Sequence, residues 1–204
     1  MPWSWAEQIT EGGLILVDVK VYASVGNLVL LRRKSDRLEG RFDSGYATFM
    51  HMRTPAFHVE PQAGPVRDRA EARRGTTTLT QERLWENPPL WMLLHLWQGG
   101  RIGFGYARDP DTGGPGPVFF SSQDGSWCEL SVVGEGGGGG GARQVWECGP
   151  RDLWASIEAA MSFWRRHGEP GWHRFGLTVT PYRQTIWLDT PDGNHQWPIE
   201  DRPT

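Results

Sequence analysis

The sequence predicts an α/β segment followed by an α+β domain, and three observations carry that expectation. A short helix-forming stretch breaks at Gly12-Gly13 and feeds the apolar run Leu14-Ile15-Leu16-Val17-Asp18-Val19. Two further apolar runs flank the polar turn Lys34-Ser35-Asp36-Arg37, the pattern of an antiparallel hairpin. Much later, Leu153, Trp154, Ile157, Met161 and Trp164 recur at helical spacing between stretches that alternate like strands.

The elements follow in order. Residues 3–10 read as the end of a helix. Residues 14–19 read as a buried strand, because a short apolar run bounded by turn signals has that pattern. Residues 27–33 and 38–42 make the hairpin, and 46–52 a fourth strand. Residues 54–81 are rich in Pro, Gly, Arg and Thr, show little periodicity and read as a linker. Residues 90–97 form a short, mostly buried helix: Asn87 caps it, Pro88 suits its first position and Gly99-Gly100 ends it. Strands over 101–108, 118–121 and 126–133 come next. A glycine tract at 136–141 precedes a strand at 144–148, so the tract joins two strands of one hairpin. The helix from Pro150 turns Arg151, Asp152, Glu158, Arg165 and Arg166 away from its apolar face, and Gly168 stops it. Strands over 174–180 and 184–188 surround a turn at Pro181-Tyr182-Arg183. Four regions result: 1–53, a linker 54–81, an α+β domain 82–190 with an antiparallel sheet packed on one main helix, and a polar, Pro-rich tail 191–204.

A net charge of -3 gives no basic surface for nucleic acid or membrane headgroups. The first residues lack the basic and apolar regions of a signal peptide, and no apolar run approaches the ~20 residues that cross a bilayer. The expectation is a cytoplasmic protein with Cys128 and Cys148 reduced.

The stretch PWSWAEQITEGGLILVDV, residues 2–19, resembles the segment of protein-L-isoaspartate O-methyltransferases in which a short helix ends at Gly-Gly and feeds a buried strand. LVLLRRKSDRLEGRF, residues 28–42, resembles that family's final hairpin, and ATFMHMR, residues 47–53, the apolar stretch closing its domain. The match covers about a quarter of the chain. It implies the terminal helix-strand-hairpin portion of a class I, S-adenosylmethionine-dependent, doubly wound methyltransferase sheet. Residues 149–170, with RFGLTVTP and IWLD after them, resemble a C-terminal domain of methyltransferases from gene clusters for ribosomally made peptides, in which an ATP-grasp ligase cross-links the precursor. That likeness implies esterification of an acidic residue of a precursor peptide, with repair of damaged protein, the role of L-isoaspartate methyltransferases, as an alternative.

The family's donor-binding strand, glycine loop and following carboxylate, and its active-site Ser, have no counterpart in these residues. S-adenosylmethionine is therefore the full-length family's cofactor, and none is expected to bind this chain alone. A truncated reading frame, or a split enzyme completed by a separate N-terminal half, would account for that; the ATP-grasp ligase is a further partner the likeness implies. In a doubly wound sheet the C-terminal ends of strands face the ligand crevice. Asp18, Val19 and Lys20, read at the end of the first strand, are accordingly the substrate-contact candidates, with a plain strand end as the simpler reading.

Other constellations carry less chemistry. The glycines after Val133 imitate a nucleotide loop, but no helix follows them. The two cysteines and six histidines show no metal-ligand spacing and no nucleophile-base order. Twelve tryptophans are many for 204 residues. They read as core packing or, alternatively, as an aromatic peptide-binding surface in which Arg101, Arg108 or Arg174 pairs with substrate carboxylates. In that second reading the chain is a peptide-binding or scaffolding module rather than a catalyst.

Overall fold

A computed structural model describes residues 1–22, 25–47, 49, 69–79, 84–99, 102–108, 113, 115–131 and 142–199. The order is α1 (Trp3–Glu7), β1 (Leu14–Tyr22), β2 (Val25–Lys34), β3 (Arg37–Phe42), β4 (Arg73–Thr77), α2 (Pro88–Gln98), β5 (Ile102–Arg108), β6 (Pro115–Ser122), β7 (Trp127–Leu130), β8 (Arg143–Cys148), α3 (Leu153–Arg166), β9 (Phe175–Val179), β10 (Gln184–Leu188) and β11 (Gln196–Ile199). The described strands form two sheets, β1-β2-β3-β9-β10-β11 and β4-β8-β7-β6-β5, and every pair in them is antiparallel. The fold class is α+β. The chain divides into one unit of residues 1–58, 85–96 and 164–204, and another of 59–84 and 97–163.

In the first unit, Gly12 turns the chain out of α1 with a φ of 77°, a left-handed conformation that favours glycine. Gly13 has no room for a side chain: a Cβ there would lie 2.6 Å from Ile9 and 2.9 Å from the Thr10 carbonyl. β1 then pairs with β2 from Leu14↔Arg32 to Tyr22↔Val25, and β2 with β3 from Val29↔Phe42 to Lys34↔Arg37. At the second turn the Glu39 carboxylate accepts from Lys34 Nζ and, at 3.0 Å, from Arg37 Nε. Burial pushes the Glu39 carboxyl up, and these two cations outweigh it, holding the group below its ordinary range.

The sheet continues from β3 to β9, with Leu38↔Val179 and Gly40↔Leu177 in register. Two glycines permit that seam. A Cβ on Gly40 would lie 1.9 Å from the Leu30 carbonyl, and one on Gly176 2.1 Å from the Trp187 ring. Trp187 lies over Gly176 and donates from Nε1 to Thr178 Oγ1 at 3.1 Å. The Arg41 guanidinium stacks over the same indole at 4.9 Å and donates to the carbonyls of His173, Arg174 and Asp189. The opposite face is aliphatic and sealed: Val17, Val19, Val21, Val29, Leu31, Leu38, Leu177, Val179, Ile186 and Leu188 are all buried.

In the second unit, α3 lies on its sheet through Trp154, whose ring meets Phe120 with centroids 6.2 Å apart. Leu153, Ile157, Ala160, Met161 and Phe163 complete the buried stripe. Glu158 anchors the polar side, accepting from Trp154 Nε1 at 2.9 Å and Thr77 Oγ1 at 2.5 Å. In the first unit, at the start of α2, Asn87 Oδ1 accepts from the Leu90 N–H at 3.2 Å, the cap expected of it.

Several expectations differ from what is observed. Residues 73–77, inside the stretch read as a linker, form β4. This edge strand pairs with β8 by backbone alone, so its Arg, Gly and Thr side chains carry no apolar pattern. Residues 175–188, assigned from sequence to the 82–190 domain, join β3 instead, and 196–199 of the supposed tail form β11 on β10. Residues 14–19 do not form a strand buried on both faces, because only one face of the first sheet is covered there. Of the strand expected over 46–52, Tyr46, Ala47 and Phe49 are not in a strand and the rest lie outside the described residues, as does the glycine tract between β7 and β8.

Gly176→Ala is expected to lower the stability of the first unit by about 1–3 kcal/mol, since Trp187 must leave its position. Gly75→Ala, where a Cβ meets nothing within 4 Å, should stay within about 0.5 kcal/mol. Denaturant melts of the two variants beside the parent chain make the comparison.

Candidate functional site on the outer face of the first sheet

Side chains alternate across β1, and the three candidate residues separate accordingly. Val19 points into the sealed core and is 8% exposed. Asp18 and Lys20 point to the outer face with Leu14 and Leu16. Asp18 does not end the strand, as its sequence context implied. It stands opposite Leu28, and β1 runs on to Tyr22 because β2 returns directly alongside it.

Asp18 and Lys20 hold a returning segment of chain. Asp18 Oδ2 accepts from the Phe49 N–H at 3.1 Å, and Lys20 Nζ donates to the Phe49 carbonyl. The two side chains are themselves 3.6 Å apart as an ion pair. The segment reaches them by way of Asn27, a buried residue whose role the sequence did not reveal. Asn27 Nδ2 donates to the carbonyls of Asp43 and Gly45 at 3.0 and 2.7 Å. Its Oδ1 accepts from the N–H groups of Leu28 and Ala47 at 2.9 and 3.0 Å. A polar side chain within an otherwise aliphatic strand was the available signal: a buried amide must find partners.

Beside this tether lies an apolar surface. Leu14, Leu16 and Leu30 are 52%, 58% and 50% exposed, and Leu16 stands directly opposite Leu30. Arg32, exposed and opposite Leu14, borders the patch and donates to the Gly12 carbonyl at 2.9 Å. β1 is also the last described strand of its sheet. The Arg33 N–H donates to the Gly13 carbonyl at 2.8 Å, which fixes the phase of the ladder. Alternation from that pair turns the backbone N–H and C=O of Leu14, Leu16 and Asp18 away from β2, toward the side of β1 where no described strand lies. Leucine side chains and a guanidinium thus meet across β1 and β2 beside ladder groups that have no strand partner among the described residues, as needed to hold an extended peptide with an acidic residue.

The other candidates are occupied or lie elsewhere. Arg174 makes a two-point ion pair with Asp189 at 2.7 and 2.8 Å, and that guanidinium holds the Asp189 carboxyl below its usual range. Arg108 is exposed on β5, and Arg101 lies outside the described residues. Between 82 and 188, Trp91, Trp154, Trp172 and Trp187 are buried and Trp97, Trp127, Trp146 and Trp164 half-buried; the side chain of Trp85 is outside the described set. Core packing accounts for them. Cys128 stands opposite Glu147 and Trp127 opposite Cys148, so the two thiols point to opposite faces of the second sheet and cannot pair. Both are free, and burial pushes the Cys128 thiol well up. Among the described residues no group of three or more His, Cys, Asp or Glu is placed to hold a metal ion, and no helix is long and apolar enough to cross a membrane.

No family model matches the sequence, and no curated protein matches it. A solved structure of a protein-L-isoaspartate O-methyltransferase is similar at 14% identity and a TM-score of 0.35, over 93% of this chain and 50% of that one. The chain therefore spans half the length of that structure, and a likeness at such a TM-score assigns neither fold nor activity.

Asp18→Ala is expected to speed hydrogen exchange of the Phe49 amide by about tenfold or more, because a charge-assisted bond is lost. Amide exchange followed by NMR reads this directly. An unchanged Phe49 amide would mean that the tether does not hold the segment.

Proposed function

We propose that the chain serves carboxyl O-methylation of a peptide or protein as the substrate-side portion of an L-isoaspartate-type methyltransferase, holding an extended acidic segment along β1. In this reading α1, the Gly12-Gly13 turn, β1 and the β2–β3 hairpin correspond to the end of a doubly wound methyltransferase sheet. S-adenosylmethionine is bound by a donor-binding portion other than these residues. The acidic segment belongs to a ribosomally made precursor peptide of the kind processed beside an ATP-grasp ligase, and the work is done in the cytoplasm. The observation that carries the reading is the outer face of β1 and β2, where exposed Leu14 and Leu16 of β1, the last described strand of the sheet, stand beside exposed Leu30 and Arg32 of β2. The order of motifs in residues 2–42 supports it independently.

The same surface favours a second reading, a peptide-binding or scaffolding module with no part in methyl transfer, since strand addition needs only an edge and side-chain sites. Three measurements separate and test these. Calorimetry of the chain with S-adenosylmethionine should give no heat of binding, and micromolar affinity would contradict the division of labour. A fluorescein-labelled peptide with Asp among apolar residues should bind, and its Asn counterpart should bind less. Leu16→Asp and Arg32→Glu should each weaken binding about tenfold or more. Equal binding by both variants would place the peptide elsewhere. Peptide binding with no methyl transfer when a donor-binding portion is supplied would favour the module.

A further inference from the structure

We propose that His167 and His195 form a two-imidazole site for a divalent transition metal ion of the zinc, nickel or copper kind. The two residues are distant in sequence and meet through the fold: His167 follows α3, and His195 lies just before β11. Their Nε2 atoms are 3.1 Å apart, with ring centroids at 4.6 Å and ring planes at 82°. A straight N–H···N bond would set the rings end to end, with centroids about 5 Å or more apart. The shorter separation means that the hydrogen bond between the two rings is bent, with the nitrogens converging at an angle. Two imidazole nitrogens on one metal at about 2.0–2.1 Å, with an angle of about 90–110° between them, stand about 2.9–3.4 Å apart. The observed spacing falls inside that range.

Both backbones are held in place without the metal. The chain leaves α3 through Gly168, whose N–H bonds the Arg165 carbonyl at 3.0 Å, and Glu169, whose N–H bonds that of Trp164 at 3.0 Å. The His167 carbonyl accepts from Arg174 Nη1, and Asp189 fixes Arg174 from the other side at 2.7 and 2.8 Å. The His195 carbonyl accepts from the Leu188 N–H at 3.0 Å. Gln196 Nε2 closes the turn before it, donating to Pro191 and Gly193 carbonyls at 2.9 and 3.0 Å. Both imidazoles are half-buried, so an ion can reach them while little ordering remains to be done. Neutral imidazole suits zinc, nickel and copper. No third His, Cys, Asp or Glu joins the pair among the described residues. With water completing the coordination, the site is an exchangeable one that ties the end of α3 to the β10–β11 turn.

Titration of the full chain with Zn²⁺, Ni²⁺ and Cu²⁺ in separate experiments tests this. At least one of them should raise the Tm by about 3 °C at roughly tenfold excess over half-saturation. His167→Ala and His195→Ala should each abolish the shift. The electron paramagnetic resonance spectrum of the copper complex needs no variant and should show splitting by two nitrogens. No shift with any of the three metals, a shift retained in both variants, or splitting by a single nitrogen would overturn the proposal.

Discussion

The first unit depends on one seam, the pairing of β3 with β9 across Gly40 and Gly176. Without it, residues 14–42 would be a three-stranded meander and residues 175–199 a separate three-stranded piece, each with an aliphatic face and little to cover it. Joined, they put Val29, Leu31 and Leu38 on the same face as Leu177, Val179 and Ile186, all buried. The seam is selective about sequence because both glycines are there for lack of room. The space a Cβ of Gly176 would take belongs to Trp187, and Arg41 covers the indole in turn. The outer face of the seam is thus closed by one indole and one guanidinium, and the inner face by branched aliphatics.

What the seam does not close is the other end of the sheet. β1 is apolar on both sides at its start, yet Val17, Val19 and Val21 are buried and Leu14 and Leu16 are not. Strands of continuous aliphatic character normally belong to sheets covered on both faces. Here Leu14 and Leu16 on the second face are exposed, and β1 is the last described strand of its sheet. Exposed edges are ordinarily blunted by charge or proline, because they pair with other chains. β1 has Lys20 and Asp18 at one end, bonded to Phe49, and the exposed Leu14 and Leu16 at the other, with exposed Leu30 of β2 opposite Leu16. This uneven treatment of the edge gives the proposed function its physical content. A peptide laid along Leu14 and Leu16 would complete the hydrogen-bond ladder and cover the leucines in one step.

Much of the local structure was legible in the sequence because it is set by local rules. Gly12-Gly13 has to be glycine in that turn; Asn87 caps α2 through its own side chain; the apolar stripe of α3 has helical spacing; and the β2–β3 hairpin turns at charges that pair with one another. The non-local pairing was not legible. Nothing in Arg73–Thr77 announces a strand, because an exposed edge strand needs only its backbone. Nothing in Phe175–Val179 names β3 as its neighbour rather than a strand closer in sequence. Asp18 and Lys20 lie on the outer face, but their partner there is the chain itself at Phe49, and Val19 faces the core. Leu14 and Leu16 sit in a run that reads as a buried strand, because apolar composition does not tell a covered face from an open one. Asn27 was read as a strand residue, although its four hydrogen bonds set the path of residues 43–47.

Site-resolved amide exchange along β1, with and without an acidic peptide, tests the central claim most directly. In the free chain, Val17 and Val19 should exchange slowly through their bonds to β2, while Leu16 and Asp18, facing the free edge, exchange fast. Added peptide should slow Leu16 and Asp18 and leave Val17 and Val19 unchanged. Leu16 and Asp18 amides already protected in the free chain, or indifferent to the peptide, would contradict strand addition at β1.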